Sequence, residues 1–288
     1  MKQGIVKYIP DFLLAKYKAK ILDDIYINEK PIGYIMGNNI MEVDFNDNEE
    51  VDNYIRNIKK ISPKDISTIY IEGCDSFRKQ TLDYIESNTG YKFASGQGIR
   101  TNNIEPLLIK TSKLLNRELG KNDLLIICSD KNRLIDIIKK LPKELNCIAN
   151  LGVEEDNLYE EILKDTGVSI YEPYNIDKAI KNFHYIINYS EEIYFDISKI
   201  RSHTIVVDFS RNRSMNGLKK TNKNIIYIED FNFSSGLDSK WIDKYISSMI
   251  YETIYASEFE NFSQVYADGA YWYLDEYLNL KIKRRGRL

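Results

Sequence analysis

Short apolar runs alternate with helically spaced apolar positions from residue 103 to residue 228. Residues 123–129 form a nearly unbroken apolar run, the pattern of a strand covered by helices on both faces. The spacing predicts a helix over 103–119, with Ile104, Leu107, Leu108, Leu114 and Leu115 on its inner side, leading into that strand. A helix over 131–141 follows, then strand 147–151, helix 156–165, strand 168–171, helix 176–183 and strand 185–189. Two further strands at 204–209 and 225–228 complete the series. This alternation predicts an α/β fold with a doubly wound, Rossmann-like parallel sheet and right-handed crossovers. Its first strand should be 124–128, flanked in space by 147–151 and 185–189.

The ends of the chain carry different patterns. Residues 10–24 place Phe12, Leu13, Tyr17 and Ile21 roughly on one helical face, and 30–37 reads as a strand ending in a Gly-Asn-Asn turn. A helix is expected over 48–61 (Val51, Tyr54, Ile55, Ile58), closed by Ser62-Pro63, and a strand over 68–73. Asp75 or Ser76 would cap the next helix, which carries Phe77, Leu82 and Ile85 to a stop at Gly90. From Asp238 the pattern predicts two helices. Trp241, Ile242, Tyr245, Ile246, Met249, Ile250 and Ile254 mark the first, and 258–278 forms the second. The expected organisation is a small N-terminal α/β domain (1–102), the Rossmann-like domain (103–236), and C-terminal helices (237–288) packing back on both.

Composition narrows the function classes. Forty basic against 43 acidic side chains among 288 residues give a net charge of −3, so nothing global favours nucleic acid or an anionic membrane. No stretch approaches a transmembrane span, and the first residues lack a signal-peptide core. Cys74, Cys128 and Cys147 are odd in number and lack metal-ligand spacing. Reduced thiols in the cytoplasm follow, with Cys128 and Cys147 expected buried on neighbouring strands. With only His184 and His203 available as imidazoles, no metal site is expected. The abundance of Ile, Lys, Asn and Tyr suggests an AT-rich bacterial genome.

The candidate chemistry lies at the turn after the first Rossmann strand. Glycines there normally let the backbone approach a pyrophosphate at a helix N-terminus. This turn reads Cys128-Ser129-Asp130-Lys131-Asn132-Arg133, without a glycine. Asp130 is the natural N-cap of the following helix, where its side chain would occupy amides that a phosphate needs and its charge would repel one. Lys131 and Arg133 either offset that charge or are solvated surface residues. The second strand, which normally ends in a ribose-binding acid, ends Ala149-Asn150-Leu151-Gly152. Asn150 is either a ribose partner or a turn asparagine.

Three later segments carry a resemblance. Tyr185-Ile186-Ile187-Asn188-Tyr189-Ser190 resembles the apolar strand that closes beside a nicotinamide. Ile205-Val206-Val207-Asp208-Phe209-Ser210-Arg211-Asn212-Arg213 resembles a strand ending in Asp before a Pro-Arg pair, with Asn212 in place of the proline. Ile228-Glu229-Asp230-Phe231 resembles an acidic pair opening the return to the helical end. Residues 103–231 thus resemble the NAD(P) domain of shikimate dehydrogenases and glutamyl-tRNA reductases. The resemblance implies NAD(P) as cofactor, with Asn188, Ser190 and Asp208 near it. The Lys-Asp pair of shikimate dehydrogenases has no match in residues 1–100, so no catalytic residue follows. Cys74, between a strand and a helix, is open to reading as a nucleophile or as a structural thiol; His184 and His203 lack a recognisable partner.

Three functions compete: a noncatalytic or regulatory protein with a degenerate dinucleotide loop and no cofactor, an NAD(P)-dependent oxidoreductase with an unusual phosphate loop, and a structural interaction scaffold. The cofactor-site candidates are Ser129, Asp130, Lys131, Asn132, Asn150, Asn188, Ser190 and Asp208. A small molecule is the expected partner, in a cleft between the N-terminal domain and the strand ends. Oligomeric state does not follow from the sequence.

Overall fold

The computed structural model describes residues 2–8, 19–38, 44, 47–74, 77–153, 155, 157–256 and 260–285. In chain order these form strands β1 (Lys2–Tyr8), β2 (Ala19–Ile27) and β3 (Lys30–Asn38), helix α1 (Asn48–Ile61), strand β4 (Ile66–Ile71), helix α2 (Lys79–Thr89) and strand β5 (Lys92–Phe93). Helices α3 (Gln97–Asn102) and α4 (Ile104–Leu114) lead to strand β6 (Asp123–Ile127), helix α5 (Lys131–Lys139), strand β7 (Cys147–Leu151), helix α6 (Leu158–Thr166) and strand β8 (Ile170–Tyr171). Helix α7 (Ile176–Ala179), strands β9 (Tyr185–Asn188) and β10 (Ile205–Asp208), helix α8 (Leu218–Thr221) and strands β11 (Ile226–Ile228) and β12 (Asp230–Ser234) follow. The chain closes with β13 (Tyr245–Ser247), helix α9 (Ser248–Tyr255), hairpin β14 (Gln264–Ala267) and β15 (Ala270–Trp272), and helix α10 (Leu274–Arg285). Two units result: Met1–Gly98 with Phe233–Glu258, and Ile99–Asn232 with Phe259–Leu288.

The first unit holds a five-stranded sheet in the order β2-β3-β1-β4-β5. Strands β3, β1, β4 and β5 run parallel and β2 is antiparallel to β3. Its centre is β1, whose Ile5 pairs with Ile35 and with Tyr70. On β3, a Cβ at Gly33 would stand 2.5 Å from the Gln3 carbonyl oxygen, so only glycine allows the two strands to pair there. Helix α1 starts where expected. Asp47 accepts the Glu49 N–H, and Val51, Tyr54, Ile55 and Ile58 turn inward. Gly90 ends α2 in the left-handed conformation (φ 75°), its N–H on the Glu86 carbonyl.

The helix expected over 10–24 is corrected. Residues 19–27 are strand β2, joined to β3 by Asn28 and Glu29, both at positive φ. A two-residue turn of this kind matches the twist of paired strands; Phe12, Leu13 and Tyr17 lie outside the described residues. Asp75 and Ser76, the expected caps, also lie outside them, and α2 follows Arg78, which makes no side-chain cap bond.

The second unit contains a six-stranded sheet in the order β11-β10-β9-β6-β7-β8, with every pairing parallel. Counted from β6, this is the 3-2-1-4-5-6 order of a doubly wound Rossmann fold. Leu124 pairs with Ile148 of β7 and with Tyr185 of β9, the two expected neighbours. Leu124, Leu125 and Ile126 are fully buried, as the unbroken apolar run requires. On one face Leu125, Ile127 and Ala149 meet Ile180, Phe183 and Met215 in a continuous core. On α4, the Thr111 and Ser112 hydroxyls satisfy the buried Tyr185 hydroxyl.

The C-terminal helices are also corrected. The first begins only at Ser248, after strand β13. Much of 258–278 is the β14–β15 hairpin, turned by Asp268 (φ 52°) and Gly269 (φ 81°). An Asp-Gly pair at positive φ is a hairpin turn, and it breaks a helical reading of the surrounding aromatics. Tyr266 and Tyr271 face each other across the hairpin, and Trp272 Nε1 donates to the Ala267 carbonyl. No helix among the described residues is long and apolar enough to cross a membrane.

None of the three cysteines forms a disulfide. Cys74 and Cys128 are buried, but Cys147 is exposed, against expectation. It opens β7 at the N-terminal rim of the sheet, where strand ends meet solvent. Titration of native protein should therefore find one reactive thiol, Cys147, and titration after denaturation three. His184 sits at the same rim, its Nδ1 accepting the Asp123 N–H, with the His203 ring 6.1 Å away. Burial lowers its proton affinity, as do Arg117 and Arg201, against an opposing pull from Asp123. Its folded pKa thus lies below the unfolded value of about 6.5. The unfolded chain binds more protons between the two values, so stability should fall as pH drops through that window and level off beneath it. Urea unfolding at about pH 7.5 and about pH 5.5 should show the loss, and His184→Asn should remove this contribution.

Candidate functional site

The turn from β6 into α5 is built as a helix cap. Asp130 takes an extended conformation, and its Oδ1 accepts the Arg133 N–H at 3.0 Å. Its carbonyl takes the Leu134 N–H, and the Cys128 thiol donates to the same oxygen at 3.4 Å. Burial pushes the Cys128 thiol pKa up. Lys131 turns to the neighbouring helix, with Nζ 2.7 Å from both Glu155 and Glu161. Those carboxylates, Glu155 foremost, raise its pKa. Asn132 is exposed on the first turn of α5, and the Arg133 guanidinium lies 5.4 Å from the centroid of the Tyr189 ring.

Gly152 (φ 106°) brings the end of β7 against this turn; a Cβ there would meet the Cys128 carbonyl oxygen at 3.3 Å. Asn150 is fully buried and points inward. Its amide donates to the Ile126 carbonyl at 3.1 Å and more weakly to those of Cys128 and Leu151, while its Oδ1 has no hydrogen-bond partner. Ala149 belongs to the core on one face and Leu151 packs against it. Strand alternation directs Asn150 to the other face.

Asn188, Ser190 and Asp208 come together in one polar knot at the ends of β9 and β10. The fully buried Asp208 carboxylate accepts five donors: Asn188 Nδ2 (2.8 Å), Ser210 N–H (3.1 Å), Ser210 Oγ (2.6 Å), Met215 N–H (3.0 Å) and the Tyr227 hydroxyl (2.5 Å). Burial first, and Asp208 next, hold the Tyr227 hydroxyl well above its usual pKa. The Asn188 Oδ1 accepts the Ser190 N–H, and its amide also reaches Ser214 Oγ. Arg213, at φ 52°, donates to the Asp208 and Ser210 carbonyls and closes the turn. The acidic pair beyond is held by cations: Glu229 by Lys219 at 2.6 Å, and Asp230 by the buried Arg100 at 2.9 Å.

Above these elements lies a cavity of about 710 Å³, beyond the C-terminal ends of β6, β7 and β9. The strand order reverses between β6 and β9, which makes this the switch-point crevice where open α/β sheets bind ligands. Ile127, Leu151, Ile176 and Ile193 supply apolar walls, and Ser129 and Ser190 are the hydroxyls. Glu172, Glu191 and Glu192 also line it, as do the rings of Tyr189, Tyr194 and Phe195; among the described residues no Lys or Arg does. The Glu191 carboxylate accepts the Arg211 and Asn212 N–H groups at 2.8 and 2.9 Å, and the Glu192 carboxylate accepts the Tyr194 hydroxyl.

Of the eight sequence candidates, Ser129 and Ser190 line the cavity. Asp130, Lys131 and Asn132 lie beside it on the cap of α5, while Asn150, Asn188 and Asp208 serve the packing beneath. The rim glutamates escaped sequence reading. Their signal is the polar stretch Ser190-Glu191-Glu192, which directly follows a strand end in a sheet whose ligands gather at such ends. Both histidines lie at the opposite rim, and Cys74 is fully buried in the first unit. Among the described residues, no group of three or more His, Cys, Asp or Glu side chains is placed to hold a metal ion.

No protein-family model matches the chain, and no curated protein sequence matches it. Among solved structures it is similar to a dipicolinate synthase chain from Bacillus halodurans, at 13% identity over 79% of this chain and 89% of that one, with a TM-score of 0.44. It is similar also to L-tryptophan dehydrogenase from Nostoc punctiforme, at 12% identity over 78% of this chain and 68% of that one, TM-score 0.37. A third is D-mandelate dehydrogenase from Rhodotorula graminis, at 8% identity over 77% and 79%, TM-score 0.35. Superpositions this loose transfer no activity or residue role.

The geometry ranks two substitutions. Asp130→Ala removes a solvent-facing cap and should cost about 1 kcal/mol. Asp208→Asn replaces a buried acceptor of five donors with an amide and should cost more, at least about 2 kcal/mol. Urea unfolding of the two variants beside the wild type measures both.

Proposed function

We propose that this chain is a noncatalytic, ligand-binding protein of regulatory type, built on a Rossmann-like domain whose dinucleotide loop no longer admits a pyrophosphate. One observation carries the reading: the Asp130 carboxylate already occupies the α5 N-terminus, on the Arg133 N–H. A phosphate would have to displace that cap, and would meet its charge at the same point. Lys131 offers little relief, since its ammonium is committed to Glu155 and Glu161. The residues that the resemblance sets beside a nicotinamide are committed too. Asn188 and Asp208 spend their polar atoms on each other and on the surrounding turn.

The cavity itself supports binding without catalysis. Its hydroxyls, Ser129 and Ser190, have no histidine beside them to act as base, and its carboxylates are exposed to solvent. A volume of about 710 Å³ suits a small molecule. We place the protein in the cytoplasm, where its three cysteines, none of them in a disulfide, would stay reduced.

Isothermal calorimetry with NAD+, NADH, NADP+ and NADPH should show no micromolar binding to the wild type. The triple variant Ser129→Gly, Asp130→Gly, Asn132→Gly should be less stable and bind these cofactors more tightly. Micromolar binding of any of the four to the unmodified protein would overturn the reading in favour of an NAD(P)-dependent oxidoreductase of the shikimate dehydrogenase-like type.

A further inference from the structure

We propose that the switch-point cavity selects an organic cation with an aromatic or otherwise apolar body. The proposal rests on the ligand-binding reading above and adds the charge and shape of the ligand.

Three carboxylates, Glu172, Glu191 and Glu192, line the cavity, and among the described residues no lysine or arginine does. Glu191 is held in place by the Arg211 and Asn212 backbone N–H groups, which orient its charge, and among the described residues no ion pair to it is seen. The cations near the turn have other partners. Lys131 bridges two glutamates on its far side, and Arg133 lies over the Tyr189 ring. An anionic ligand would therefore meet repulsion at the mouth, and a cation would meet attraction within about one Debye length.

The carboxylates form no metal site, since no three acidic, histidine or cysteine groups among the described residues converge to hold an ion. Their charge instead lines the same cavity as apolar and aromatic side chains. Tyr194 and Phe195 contribute rings to the lining beside Tyr189, whose ring already faces Arg133, and Tyr194 is 85% exposed while its hydroxyl is anchored on Glu192. Aromatic faces attract ammonium groups, and apolar walls take a hydrocarbon body. One molecule with both features satisfies both halves of the site. A pyrophosphate or a carboxylate satisfies neither the charge nor the cap.

Three probes of one skeleton isolate the charge: tyramine (cationic), tyrosol (its neutral hydroxyl counterpart) and 4-hydroxyphenylacetate (anionic). Calorimetry at low salt should show tyramine binding about tenfold more tightly than tyrosol, with 4-hydroxyphenylacetate weakest, and added salt should narrow the gap. The double variant Glu172→Gln, Glu192→Gln should bring tyramine down to the level of tyrosol while leaving the unfolding midpoint unchanged, because both side chains are exposed. Equal affinities for the three probes, preference for the carboxylate, or no tyramine binding at saturating concentration would each overturn the proposal. Micromolar NAD(P)(H) binding alongside an intact tyramine preference would instead sink the noncatalytic reading and leave this charge preference standing.

Discussion

The buried Asp208 carboxylate is the constraint around which the second half of the Rossmann sheet is arranged. A charge taken fully out of water is tolerated only when donors replace its hydration. Here the replacement comes from several places in the chain: Asn188 at the end of β9, Ser210 and Met215 in the loop after β10, and Tyr227 in β11. Satisfying one side chain thus ties three adjacent parallel strands and a loop into a single geometry. Arg213 adds to the lock by adopting a positive φ that lets its guanidinium reach two carbonyls of the same turn. The loop after β9 is bound into this arrangement through Ser190 and Glu191, so the wall of the cavity inherits its shape from the knot below.

The same accounting applies at the other wall. A helix N-terminus leaves backbone N–H groups that need acceptors. A dinucleotide loop leaves them for phosphate, and this chain supplies Asp130 instead. The Asp130 cap contributes about 1 kcal/mol, and in the proposed reading its displacement is the first of several costs that a pyrophosphate would meet. The charge of Asp130, the absence of glycine from the turn and the carboxylates at the mouth all act in the same direction. Gly152 is the place where close backbone approach survives, and it is spent on packing β7 against the turn.

Much of the second unit was legible in the sequence because strands buried on both faces must be almost wholly apolar. Residues 124–127 and 147–151 could be placed from composition alone, and their neighbours followed from the handedness of crossovers. Elements whose identity depends on their turns were not legible in the same way. Asn28-Glu29 is not a standard hairpin signal, so the apolar positions of β2 read equally well as one face of a helix. Asp268-Gly269 is such a signal, but the surrounding Val265, Tyr266, Tyr271 and Trp272 also fit helical spacing, and the period won over the turn. At the site, Asp130 was readable because capping is local, one residue against the next three. The joint role of Asn188 and Asp208 was not, because beside local partners such as Ser190 and Ser210 they depend on each other and on Ser214 and Tyr227, about 20 residues away along the chain.

That division between local and distant partners also separates what holds the fold from what is left for a ligand. Asn150, Asn188 and Asp208 sit at positions where a Rossmann enzyme would invite cofactor readings, yet each turns its donors or acceptors into the sheet. Beyond them, the exposed rim residues Glu172, Glu192 and Tyr194 reach past the strand ends into the cavity mouth. An exposed glutamate changed to glutamine costs little stability, whereas a change at Asp208 disturbs three strands. In the proposed reading, binding preference at the cavity can therefore vary while the knot stays constant. In the proposed reading, the chain keeps the switch-point crevice, fills the helix amides with an aspartate, and recognises a ligand of a different charge through side chains that the core does not use.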